Sequence, residues 1–169
     1  ITGTFPWSDS EDRRKDFLIG KEPIIKITEF FFHLKSVSFQ WKDYNDLKKY
    51  NIGGTIGYRH VNALKSKGIE VEVASSDALS LKKIVKERID AAPLAIKVGY
   101  FTLNKLYPPE IRALITHHPK PVFHVNMYMF ISKNIPQGQE ILDKFDEGLR
   151  KLKKSGRYQQ IIDSFMNME

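Results

Sequence analysis

Three groups of residues in this chain are of types that do chemistry. The first is Arg13, delivered by the polar stretch Ser10-Glu11-Asp12 just ahead of the apolar run Phe17-Leu18-Ile19. A guanidinium is a planar fork that makes two parallel charged hydrogen bonds to a carboxylate. Within Arg13-Arg14-Lys15 the same residue also reads as part of a solvated basic surface, and Arg14 takes its place if the register slips by one. The second group is Gly53-Gly54-Thr55-Ile56-Gly57-Tyr58-Arg59, where a strand gives way to a helix. Backbone N–H groups and the helix dipole hold an anion at such a junction, although glycine also serves any tight turn. The third is the histidines. His117 and His118 are neighbours that a strand would point to opposite faces, and His33, His60 and His124 stand alone with no His-Glu-x-x-His spacing. No serine lies in a Gly-x-Ser-x-Gly elbow, and the absence of cysteine removes disulfides, thiol catalysis and thiolate metal sites together. No catalytic residue, metal or cofactor is expected.

The elements that must position these residues follow from periodicity. Ile24 to Leu34 reads as one long strand, and Asn51-Ile52-Gly53-Gly54 as a second, introduced by a capped turn at Asp46-Leu47-Lys48-Lys49. Tyr58 to Lys67 reads as a helix stopped by Gly68, and Ile69-Glu70-Val71-Glu72-Val73 alternates strictly as a strand. Ser76 or Asp77 caps a helix with Leu81, Ile84 and Val85 on one face. Ile89-Asp90-Ala91-Ala92 is a short strand, after which Pro93 suits the first position of a helix to about Lys105. Ile111 to Thr116 reads as a strand between the rigid turns Pro108-Pro109 and Pro119 to Pro121, and Phe123 to Ser132 as another. Ile141, Leu142, Phe145, Leu149 and Leu152 describe an amphipathic helix ended by Ser155-Gly156; Tyr158, Ile161, Ile162 and Phe165 describe a last one. This alternation predicts an α/β architecture with largely parallel sheets.

A chain of 169 residues with 41% apolar and 28% charged residues is an ordinary globular sequence. No apolar run approaches the roughly 18 residues that span a bilayer. The 27 basic and 20 acidic side chains leave a net charge of +7, but the cations are scattered among acids without an aromatic rhythm, which argues against a nucleic-acid partner.

In order, Phe5 to Ile19, Asp46 to Tyr58, Gly68 to Glu72, Lys82 to Ala92 and Met129 to Phe165 resemble the type 2 periplasmic solute-binding proteins of amino-acid ABC transporters, solute-binding family 3. The resemblance implies a periplasmic binding protein-like α/β fold of two lobes, with mixed, largely parallel sheets flanked by helices. It implies residues 1–27 as a remnant of lobe 1, 28–122 as lobe 2, and 123–169 as the return strand and C-terminal helices of lobe 1. The strand, helix and strand that open lobe 1 in the family have no counterpart here, so lobe 1 is expected to be incomplete and a homodimer through it is one outcome.

By that resemblance Arg13 grips a ligand carboxylate, Ser8 and Trp7 line the site beside it, and Gly57, Tyr58 and Arg59 offer backbone groups from the second lobe. Core packing of Phe5 and Trp7 is the competing reading. The expected function is capture of a small polar, carboxylate-bearing, amino-acid-like ligand by hinge closure, for an ABC permease, in the periplasm or outside a bacterial cell, after removal of a signal peptide and without catalysis. A ligand-sensing module of a signalling protein, a dehydratase-like enzyme and a non-binding descendant are the alternatives. One departure stands out: the family commonly carries an acid for the ligand ammonium group where this chain has Ala95, and Asp90 is a poor substitute.

Overall fold

The computed structural model describes the backbone of residues 2–166 and the side chains of residues 2–164. It divides into two units, one of residues 1–27 and 125–169 and one of residues 28–124. The long strands β3 (Ile25–Leu34) and β7 (Ile115–Ser132) each run from one unit into the other.

In the first unit, β1 (Gly3–Ser8) and β2 (Phe17–Ile19) both pair antiparallel with the last part of β7. Between them lies α1 (Glu11–Asp16), a short helix capped by the Ser10 side chain, which accepts from the Arg13 amide. Phe130 and Ile131 of β7 are buried together with Leu142 and Leu149 of α6 (Gly138–Lys154). The apolar positions of α6 recur at helical spacing, and Gly156 in the left-handed region ends it before α7 (Arg157–Met166). The Phe165 side chain lies outside the described residues. Asp146, on the inner face of α6, is almost completely buried and accepts from the amides of Lys21 (2.7 Å) and Glu22 (3.3 Å). It therefore satisfies a loop that no strand partner reaches.

In the second unit, β4 (Ile52–Thr55) runs parallel to β5 (Val71–Ala74) and to β6 (Ala91–Ala95), and β6 runs antiparallel to β3. Helices α2 (Arg59–Lys65), α3 (Asp77–Val85) and α4 (Ile96–Leu106) complete the unit, with α5 (Pro109–Arg112) leading into β7. Two apolar clusters form. Phe31, Phe39, Trp41, Leu47, Ile52 and Leu64 make one; Phe32, Leu81, Ile84, Leu94, Leu103 and Ile115 are in the other.

Three expectations need correction. Pro93 does not open a helix: it lies inside β6 opposite Phe31, and the helix starts only at Ile96. The ladder between β4 and β6 is registered at Ile52 and Ala91, ahead of the proline that lacks a donor. Ile111 and Arg112 belong to the turn of α5, because Pro109 presets the first helical position and the Ala113 amide bonds back to the Pro109 carbonyl. Pro119 and Pro121 do not break the chain either: β7 passes straight through them. They sit at alternate, exposed positions, so both missing N–H groups fall on the same side of the strand. A smaller shift concerns β5, which starts at Val71; the Ile69 amide instead bonds the Leu64 carbonyl at the end of α2.

Two predictions follow from this packing. Asp146→Ala removes a buried charged acceptor from two amides and is expected to lower unfolding stability by about 2–3 kcal/mol in urea. The second concerns acid. Burial, and then the nearby His33, hold the His117 proton affinity below the ordinary histidine value. Burial also lowers that of His118, whose Nδ1 accepts from the Lys120 amide at 3.1 Å. A depressed folded-state value means that the unfolded chain binds the proton more readily. The stability these groups contribute is complete above the ordinary value of about 6.5 and is lost as pH falls through the lower folded values. Denaturant melts at about pH 7.5 and 5.5 should show that loss, and it should be smaller in a His117→Gln, His118→Gln variant.

Candidate ligand-binding site

In the first unit, β1 and α1 bring Trp7, Ser8 and Arg13 together. Arg13 Nη1 donates to both the Ser8 carbonyl and Ser8 Oγ at 2.7 Å, and its guanidinium carbon lies 5.1 Å from the Trp7 ring centroid. Ser8 is buried while Trp7 is 45% and Phe5 61% exposed, so these two aromatics are not core residues. Trp7 is fixed by its own Nε1 donating to Thr4 Oγ1 at 3.0 Å. Among the described residues no carboxylate pairs with Arg13. The neighbour Arg14 is instead committed to Asp9 through two hydrogen bonds. Arg13 therefore keeps guanidinium donors that no carboxylate takes up among the described residues, beside an exposed indole face.

In the second unit, Gly57 has φ +76° and nothing lies within 4 Å of where a Cβ would be. Its role is conformational: it carries the left-handed step between β4 and α2. Tyr58 and Arg59 are exposed beside it. The Tyr58 amide is bonded to the Thr55 carbonyl at 3.1 Å, so the turn consumes a donor that the sequence reading assigns to a ligand. The amides of Gly57 and Arg59 have no partner among the described residues. The Tyr58 hydroxyl sits 3.5 Å from Asp77 Oδ2, and burial, followed by the charges of Asp77 and Glu29, raises its proton affinity.

Comparison with known proteins bears on the fold. No family model and no curated protein sequence matches the chain. Solved structures do. The P235GK mutant of ArgBP from T. maritima superposes with a TM-score of 0.78 at 19% identity, over 98% of this chain and 69% of that one. A histidine kinase sensor domain with similarity to periplasmic binding proteins reaches 0.81 at 16% identity, over 99% of this chain and 70% of that one. The chain has the periplasmic binding protein fold. An ancestral amino-acid-binding protein described as a precursor of cyclohexadienyl dehydratase also matches, with a TM-score of 0.69 at 17% identity, over 93% of this chain and 64% of that one.

On this periplasmic binding protein frame the Ala95 departure acquires a context. Ala95 is the last residue of β6 and the N-cap of α4, and its register partner on β3 is Glu29. Sequence reasoning passed over Glu29, and it treated His60 as isolated. Yet Glu29 Oε2 lies 3.0 Å from His60 Nδ1, and both side chains are buried. Thr55 and Asp77 were missed as well; Thr55 Oγ1 donates to Asp77 Oδ1 at 2.6 Å. One signal was present in the sequence: a carboxylate inside the apolar run Ile25 to Leu34 needs a buried partner. Which partner it finds depends on the packing of α2.

Because Gly57 is needed for its dihedral and not for space, Gly57→Ala is expected to cost about 1–2 kcal/mol in urea melts. A cost near zero would show that the turn relaxes out of the left-handed region.

Proposed function

We propose that this chain captures a small, polar, carboxylate-bearing solute of amino-acid type outside the cytoplasm and delivers it to an ABC importer, without catalysing a reaction. The observation that supports this reading best is Arg13, positioned by Ser8, laid over an exposed Trp7 and paired with no carboxylate among the described residues. A guanidinium held in this way has donors left to grip a carboxylate as a fork. The Gly57 turn, with the Gly57 and Arg59 amides unpaired among the described residues, is a second place where an anionic group is accommodated. Fold likeness to arginine- and other amino-acid-binding proteins is consistent with this ligand class, while the site carries the argument.

A sensing role is the second reading, favoured by the superposition on a histidine kinase sensor domain. Both readings require binding at Arg13 and differ in whether the occupied protein hands its solute to a permease or passes the bound state to a signalling partner.

A thermal-shift screen of amino acids and small carboxylates tests the shared requirement. A true ligand at roughly a hundred times its Kd should raise the melting temperature by about 5 °C or more. Arg13→Ala should abolish the shift and Arg13→Lys should retain only part of it, since an ammonium lacks the fork. A shift that survives Arg13→Ala places the carboxylate elsewhere, and no shift from any compound rejects the solute-binding role.

A further inference from the structure

The buried pair of Glu29 and His60 is used by nothing described so far, and its bonding is unusually informative. The Thr55 backbone N–H donates to His60 Nε2 at 3.1 Å. That nitrogen must therefore carry a lone pair, which leaves the proton on Nδ1, where it is donated to Glu29 Oε2 at 3.0 Å. Both imidazole nitrogens are committed, in a side chain only 1% exposed. Thr55 is the last residue of β4, and from it springs the turn through Gly57 to α2. Gly54 permits this arrangement: a Cβ there would lie 3.3 Å from His60 Cδ2 and 2.9 Å from Val61 Cγ2.

We propose that His60 is the positioning residue of the β4–α2 turn and that its Nε2 makes this turn proton-sensitive. As a neutral ring, His60 ties the end of β4 to β3 through Thr55 on one side and Glu29 on the other. When a proton is added at Nε2, two N–H groups face one another, the Thr55 bond is lost, and the amide is left buried without an acceptor. The other ionisable groups around the ring do not restore it. Glu29 of β3 accepts from Nδ1 in both protonation states. Asp77 at the start of α3 is engaged by the Thr55 hydroxyl, and Tyr58, whose ring lies 5.4 Å from the imidazole, keeps its phenolic proton. Arg59, beside His60 on α2, is exposed, and Glu72 of β5 pairs with Lys83. Acid therefore loosens the segment that presents Gly57, Tyr58 and Arg59. The consequence for solute affinity rests on the function proposed above; the switch itself does not.

The test needs no ligand. Nitrogen-15 NMR of the imidazoles and amide hydrogen exchange are followed from about pH 8 to about pH 5, with exchange corrected for its intrinsic pH dependence. At the upper end His60 should show the Nδ1–H tautomer and a protected Thr55 amide. As His60 takes up a proton, Thr55 protection should fall about tenfold or more, while the Gly53 and Phe31 amides keep theirs. His60→Gln, whose amide oxygen replaces the Nε2 acceptor without titrating, should hold Thr55 protection constant across the range. The proposal is overturned by an Nε2–H tautomer at about pH 8, by an imidazole that stays neutral down to about pH 5, by Thr55 protection indifferent to the titration, or by the same acid loss in His60→Gln. None of these outcomes bears on whether Arg13 holds a carboxylate, so failure here is separable from failure of the solute-binding reading.

Discussion

The register of β3 is the constraint on which the second unit depends. Phe31 and Phe32 are both fully buried, and as successive residues of a strand they point to opposite faces. Phe31 enters the cluster with Leu64 of α2, and Phe32 enters the one with Leu81, Ile84 and Leu103 of α3 and α4. A strand covered on both faces cannot slip by one residue without exchanging the two sets. The same alternation fixes the polar residues. Glu29 shares the Phe31 face, the face of α2, and so meets His60 one turn of helix before Leu64. The buried hydrogen-bonding partner and the apolar core are thus consequences of one register.

The first unit is organised differently. Its sheet consists of short antiparallel pairings along β7, and the segment between Gly20 and Pro23 has little regular pairing of its own. There the polar group Asp146 does what a strand neighbour would do, taking two backbone amides into a carboxylate on α6. Lys153 performs a related task nearby, donating to Glu22 Oε1 and the Pro23 carbonyl at 2.5 Å each. A helix thereby satisfies a loop with side chains, and the strength of charged hydrogen bonds makes up for the missing ladder. The Arg13 arrangement is built in the same manner: one nitrogen anchors on Ser8, and the other guanidinium donors have no partner among the described residues.

Much of this architecture was legible because it follows from local periodicity. The long strand β3, the amphipathic α6, the Ser76 cap of α3 and the glycine stops at Gly68 and Gly156 each rest on a few neighbouring residues. The larger misreadings of secondary structure involve proline. Pro93, Pro119 and Pro121 are strong local punctuation, but each sits inside a strand because what matters is where its missing N–H points. Local chemistry cannot supply that, since the side of a strand that needs donors is set by its neighbours in the sheet.

Sequence by itself determined the α/β order and the absence of thiol chemistry, since periodicity and residue type suffice for these, whereas Arg13 and the Gly57 turn were singled out by resemblance to a family and not by spacing alone. Tertiary structure alone decided that Arg13 rather than Arg14 keeps its donors, that the Tyr58 amide is spent within its own turn, and that Glu29 and His60 are partners. The physical reason is common to the three. A hydrogen-bonding group is available or committed according to what stands within about 3 Å of it, and in these three cases that neighbour comes from another element or from a turn of the backbone rather than from the adjacent residue.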